Sequence, residues 1–174
     1  MALRDNHGPA IDEILARYAQ RRSAVIPLLY IAQDEYGHLT DEAIREVAAI
    51  LELPPTDVFE VVGFYTLFYD KPVGTWVLQV CDDVPCCFLG AEQLVETLES
   101  KLRIVVDQTT DDKMFTLQRV KCLADCDRAP MLQANLEYFR NLDTPEKVDA
   151  LLTELRQRAA SGEVLSVSGR FAKG

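Results

Sequence analysis

Five cysteines carry the chemistry open to this sequence. They fall in two tight groups, Cys81-Asp-Asp-Val-Pro-Cys86-Cys87 and Cys122-Leu-Ala-Asp-Cys126, and none lies elsewhere. Thiolate sulfur binds iron–sulfur clusters, zinc and copper(I). Four thiolates satisfy a tetrahedral zinc ion, or a [2Fe–2S] cluster that takes two sulfurs on each iron. Both groups have gaps that admit zinc, but zinc knuckles and ribbons carry glycine and basic residues around their ligands, whereas the first loop here carries Val84-Pro85. The plant-type C-x4-C-x2-C order fails, because nothing three residues after Cys86 is a cysteine. A Rieske site needs two histidines; His7 and His38 lie far upstream, in helical stretches, and read as surface or capping residues. Thiol redox catalysis of the thioredoxin type needs C-x-x-C, which is absent. Nucleophilic Cys–His catalysis has no histidine near the cysteines in sequence. Four places and five cysteines leave one spare, and spacing alone does not choose between Cys86 and Cys87.

Composition sets the frame. The chain has 174 residues, 48% hydrophobic, with a formal net charge of −10. A packed core is within reach, and phosphate backbones would repel such a surface, so no nucleic-acid partner is expected. The longest apolar run, Ala24 to Ala32, contains Pro27 and falls well short of the roughly 20 residues of a spanning helix. The first residues carry no apolar signal stretch. A cytoplasmic protein without direct membrane insertion follows as the expectation, and there thiols stay reduced.

The elements that position the cysteines read in two parts. Residues 1–72 look like a helical bundle. Ile11, Ile14, Leu15 and Tyr18 share one helical face. Ser23 is placed to cap a second helix with Val25, Leu28, Leu29 and Ala32 inward, Pro27 in its first turn and Gly37 as its stop. Thr40 begins a third, with Ile44, Val47, Ala48 and Leu51 inward, and Pro54-Pro55 ends it. Thr56-Asp57 begins a fourth, with Val58, Val61, Val62 and Tyr65 along one side. The aromatic run Phe64 to Tyr69 reads as core packing, with a partner surface as the alternative. Residues 73–160 then follow an α/β pattern: a strand from Thr75 to Val80, a helix from Leu89 to Leu102, strands at Ile104–Val106, Met114–Leu117 and Met131–Asn135, and a last helix capped by Thr144. Residues 161–174 read as a short, polar, loosely held tail.

The residues now assembled resemble a known family. Val80-Cys81-x4-Cys86 and Cys122-Leu-x2-Cys126-x2-Ala129-Pro130, with Asn135 and Tyr138 following, look like the thioredoxin-like [2Fe–2S] ferredoxin family. Pro27-Leu28-Leu29, Gln33-x2-Tyr36-Gly37, Phe64-Tyr65-Thr66-x-Phe68 and Lys71-Pro72-x-Gly74 resemble the helical domain that precedes it in the branch serving NADH–quinone oxidoreductase. The resemblance covers roughly residues 11 to 157. It implies an α+β fold, a helical bundle followed by a thioredoxin-like domain. It implies one [2Fe–2S] cluster on Cys81, Cys86, Cys122 and Cys126, leaving Cys87 as a small buried hydrophobe. It also implies electron exchange with a neighbouring subunit that carries FMN and oxidises NADH, with a large iron–sulfur subunit as a further partner, in the peripheral arm of a membrane-bound complex. Two other readings are the diaphorase part of an NAD-linked hydrogenase or formate dehydrogenase and, in a different class, a structural zinc scaffold.

One position departs from the family, in which a small residue precedes the fourth cysteine; here it is Asp125. Asp82, Asp83, Asp125 and Asp127 flank the cysteines, with only Lys121 and Arg128 nearby to oppose them. Unopposed carboxylates would make the cluster hard to reduce; solvated and screened ones would leave it unchanged.

Overall fold

A computed structural model describes residues 2–162 of the chain; the expected tail lies beyond them except for its first two residues. The chain divides into two compact units, the first running to Pro72 and the second starting at Val73.

The first unit is built from four helices, α1 (Ala2–Arg17), α2 (Val25–Tyr36), α3 (Asp41–Leu51) and α4 (Pro55–Phe64). Helix α1 starts well before the Ile11 periodicity and kinks at His7, two residues ahead of Pro9, whose ring the regular helix cannot accommodate. Its first turn is held by Glu46, whose Oε1 accepts from the Leu3 amide at 2.9 Å. Tyr18 and Tyr65, both expected inward, lie just past their helices and are exposed. Ser23 does not cap α2. It sits in a 3-10 turn, Arg21–Ala24, that runs straight into α2, so no extended residue precedes the helix for a side chain to cap from. Gly37 does stop α2, at φ 76°, its amide donating to the Gln33 carbonyl at 2.8 Å. Thr40 does cap α3, accepting from the Ala43 amide at 3.2 Å. Helix α3 ends at Glu52 in a left-handed conformation rather than at Pro54-Pro55. Those prolines instead open α4, with Pro55 as its first residue, where a missing amide costs nothing.

The apolar faces meet in a core that includes Leu28, Leu29, Val47, Leu51 and Val58. Buried Gln33 ties the end of this unit to α2: its Nε2 donates to the Leu67 carbonyl at 2.9 Å, and its Oε1 accepts from the Tyr69 amide at 2.8 Å. The aromatic run therefore divides. Phe68 is buried against Tyr30, while Phe64 and Tyr65 are exposed.

The second unit holds β1 (Trp76–Cys81), α5 (Val84–Phe88), α6 (Ala91–Leu102), β2 (Phe115–Val120), β3 (Leu132–Ala134), β4 (Glu137–Phe139) and α7 (Pro145–Ala160). The sheet order is β2-β1-β3-β4. β1 and β2 are parallel, in register from Trp76↔Phe115 to Cys81↔Val120; β3 and β4 are added antiparallel. The fold is thus α+β, with a mixed four-stranded sheet. The expected strand Ile104–Val106 is not one. Arg103 closes α6 in a left-handed conformation, and local side chains take up the amides that a strand would pair: Val105 donates to Gln108 Oε1 and Val106 to Glu99 Oε1. The fourth strand is instead Glu137–Phe139. Helix α6 begins at Ala91 rather than Leu89, after Gly90 at φ 104°.

Helix α7, capped by Thr144 as expected, locks onto the sheet through Trp76. The indole Nε1 donates to the Leu155 carbonyl at 2.9 Å, and the Arg158 guanidinium lies 5.1 Å from the ring centroid while pairing both oxygens of Glu137. Gly74, just before β1, is pressed on β2: its amide donates to Thr116 Oγ1 at 2.7 Å.

Candidate metal centre

Parallel pairing sends the C-terminal ends of β1 and β2 to the same end of the sheet. Cys81 is the last residue of β1 and faces Val120, the last of β2; Lys121 and Cys122 follow at once. The two cysteine groups, distant in sequence, are therefore brought to one sheet end by a strand register. The loop bases are fastened there too: the Asp82 amide donates to the Val120 carbonyl at 3.0 Å, and the Cys81 amide to the Met131 carbonyl at 3.2 Å.

The first group is a strand end followed by a short helix that sequence periodicity did not reveal. Asp83 caps α5, its Oδ1 accepting from the Val84 amide at 2.9 Å. Successive residues of a helix point about 100° apart, so α5 turns Cys86 inward and Cys87 outward. Cys81 and Cys86 are 2% and 1% exposed, packed with Ala91 and Met131 and edged by Leu123 and Ala129. Cys87 is exposed, its Sγ donating to the Asp82 carbonyl at 3.0 Å. That corrects its reading as a buried hydrophobe. Burial first, then a hydrogen bond with Cys81, pushes the Cys86 thiol up to about 12. A metal taking this sulfur must displace a firmly held proton.

The second group lies in a tight loop. Ala124 adopts φ 62°, a left-handed conformation that costs a residue with a Cβ roughly 1–2 kcal/mol. There its amide reaches Cys122 Sγ at 3.3 Å. Cys122 Sγ and Cys126 Sγ are 3.8 Å apart. That is about the edge of a tetrahedron with metal–sulfur bonds of ~2.3 Å. The hydrogen bond with Cys122, then partial burial and the neighbouring Cys122 and Cys81 thiolates, hold the Cys126 proton more tightly than usual. The register that sets Cys81 beside Val120, two residues before Cys122, makes the two pairs neighbours.

The four thiols thus fall two and two: a buried pair, Cys81 and Cys86, and a more exposed pair, Cys122 and Cys126. Among the described residues no three of the His, Cys, Asp and Glu side chains gather as a site for one metal ion. Two adjacent thiol pairs are the donor chemistry that a two-iron cluster takes, two sulfurs to each iron, and the residues fit that group.

The surrounding charges differ from their linear pattern. Asp82 Oδ1 pairs with Lys121 Nζ at 2.9 Å, and Asp127 with Arg128 at 3.6 Å. Asp125 pairs with Arg140, which the sequence reading missed: it lies fifteen residues away, beyond β4, and only the β3–β4 hairpin returns it to the loop. Asp83 is engaged in its cap. No described helix is long and apolar enough to cross a membrane.

Comparison with known proteins agrees with this geometry. The pattern of the family described as thioredoxin-like [2Fe-2S] ferredoxin matches residues 11–156. The second E-type subunit of the NADH-quinone oxidoreductase of Rhizobium meliloti is 45% identical over 84% of this chain and 86% of its own length. The E-type subunit of the NADH-quinone oxidoreductase of Rickettsia bellii is 40% identical over 83% of this chain and 88% of its own. Among solved structures, an NAD+-reducing [NiFe]-hydrogenase superposes with a TM-score of 0.62 at 23% identity, over 75% of this chain. This chain spans only 22% of that one, and the likeness is one of fold.

Proposed function

The chain belongs to the thioredoxin-like [2Fe–2S] ferredoxin family, and from that membership we propose that it is the electron-transfer subunit of an NADH–quinone oxidoreductase. The observation that carries the reading is the two-plus-two set of thiols gathered at one sheet end. Cys81, Cys86, Cys122 and Cys126 would hold the [2Fe–2S] cluster, and Cys87, turned out of the site by α5, would not. When bound, the cluster supplies a centre that accepts and releases one electron at a time. The chain's own residues prepare that centre. Met131, Ala91, Leu123 and Ala129 keep water from the inner sulfur pair. The Ala124 amide stands ready to share the charge on Cys122, a kind of hydrogen bond that tunes cluster potential. The chain contributes no hydride chemistry of its own. NADH oxidation belongs to a neighbouring subunit carrying FMN, and a large iron–sulfur subunit is the further neighbour, in the peripheral arm of a membrane-bound complex.

An anaerobic visible and EPR spectrum of the purified chain, before and after dithionite, with iron and acid-labile sulfide analysis, tests the reading. The expected result is a brown-red protein with two irons and two sulfides per chain, EPR-active only when reduced. Cys87→Ser is expected to keep that spectrum, whereas serine at any of the other four alters or abolishes it. A colourless protein holding one zinc would sink the reading in favour of a structural zinc scaffold. Co-purification of a tagged chain from its own cells separates the NADH–quinone reading from an NAD-linked hydrogenase or formate dehydrogenase, through the subunits that accompany it.

A further inference from the structure

The side chain immediately before Cys126 is a carboxylate with a built partner. The Asp125 side chain is only 17% exposed and forms an ion pair with Arg140. Arg140 follows β4 directly, donates from Nη1 to the Tyr138 carbonyl at 3.3 Å and lies 5.4 Å from the Tyr138 ring centroid. Backbone bonds run alongside: the Arg128 amide donates to the Asp125 carbonyl at 3.1 Å, and the Asn141 amide to the Arg128 carbonyl at 2.9 Å. The exit of β4 is thereby stitched to the second cysteine loop by a charge pair and by backbone bonds that do not depend on it. Removing the side-chain pair therefore leaves the loop a second attachment.

We propose that Arg140 is the charge-balancing and positioning residue of the second cysteine pair, cancelling the Asp125 carboxylate beside Cys126 and so keeping the centre easier to reduce than its neighbouring aspartates would leave it. The proposal rests on the [2Fe–2S] reading above. Reduction adds one negative charge, and the potential of such a centre follows the net charge around it. A partly buried carboxylate freed of its guanidinium opposes that charge through less water than a surface group does, so the electrostatic penalty is not screened away.

The test is an EPR-monitored redox titration of the full-length chain with its cluster in place, with iron and sulfide counted on every sample. Arg140→Gln is expected to lower the reduction equilibrium about tenfold, which is 59 mV for a one-electron couple. Asp125→Asn is expected to raise it by a similar factor. The double variant, with no charge at either position, is expected within about twofold of the parent, and Arg140→Lys, which keeps the charge, likewise. A positional role without charge balance would instead move both single variants the same way and the double variant furthest; that pattern overturns the proposal, as do single variants that titrate like the parent. If Arg140→Gln fails to take up iron, the Asp125→Asn and double variants still decide: a raised Asp125→Asn beside an unmoved double variant supports charge balance, and shifts of both in one direction overturn it. A parent chain without two irons and two sulfides would refute the cluster reading itself, whereas a loaded parent with unmoved variants refutes only the role of Arg140.

Discussion

Replacing Gly74 by alanine is expected to weaken the sheet that carries both cysteine groups. The glycine is not there for an unusual backbone angle, since its φ is one that alanine adopts. It is there for room. A Cβ at this position would stand 2.8 Å from the Phe115 nitrogen and 2.9 Å from the carbonyl carbons of Met114 and Phe115, where 3.4–4 Å is ordinary contact. All three atoms are backbone, so no rotamer can yield. The start of β2 must move by about half an ångström from β1, against the Gly74–Thr116, Thr75–Lys113 and Trp76–Met114 hydrogen bonds. Overpacking costs about 1–3 kcal/mol, and the rigid targets place this case at the upper end. Alanine returns roughly 0.4–1 kcal/mol by restricting the unfolded chain. The net loss is about 2 kcal/mol, or roughly 10 °C in Tm for a unit of this size. The chain's single tryptophan, Trp76, lies in β1 itself, so urea unfolding followed by its fluorescence reports directly on this sheet. Gly63, with nothing within 4 Å of where a Cβ would sit, supplies the contrast: alanine there, inside α4, is expected to stabilise by about 0.5–1 kcal/mol, read by circular dichroism. A Gly74→Ala chain within about 0.5 kcal/mol of the parent would refute the steric argument.

Other outcomes follow from the same geometry. Gln33→Leu removes the two side-chain bonds that tie residues 67–69 to α2 and leaves the Leu67 carbonyl and Tyr69 amide without those partners; a loss of about 1–3 kcal/mol in chemical unfolding is expected. Asp112, held by Thr110 first, then Arg156 and the Met114 amide, is pulled down to about 2. Its contribution is therefore complete above the ordinary aspartate range and lost as pH falls from about 4 through 2. Asp112→Asn is expected to flatten that part of the stability profile, and an unchanged acid limb would count against the assignment. In cluster-free protein, a short iodoacetamide pulse at pH 8 is expected to label exposed Cys87 and Cys122 ahead of Cys86, which is buried and holds its proton to about pH 12. Peptide mapping that finds Cys86 among the first labelled would contradict the burial argument.

Where the sequence was readable, local chemistry set the structure. Thr40 and Thr144 announced their helices because a cap is a short-range bond, and Gly37 marked an end because a left-handed residue was required there. The misreadings had non-local causes. Ile104–Val106 has the composition of a strand, but a strand needs a neighbour, and this stretch spends its amides on Gln108 and Glu99. Glu137–Phe139 is short and half-exposed, and exists only because β3 is there to pair with it. Helix α5 is too short for periodicity to show, and with it went the signal that separates Cys86 from Cys87 and shows Cys87 to be exposed. The cysteine groups themselves stood out at once. What paired them was the β1–β2 register, and what balanced Asp125 was Arg140, both matters of folding rather than of spacing.

The parallel pairing of β1 with β2 also gives the second unit a working end and a spare end. Both cysteine groups lie where the two strands finish; the turn at residues 111–113 lies where β2 begins, a full strand length away. Asp111, exposed in that turn, is accordingly a place to attach a spin label or fluorophore. Such a probe sits on the same rigid sheet as the thiols without entering their surroundings, and could serve as a fixed ruler from which distances into an assembled complex are measured.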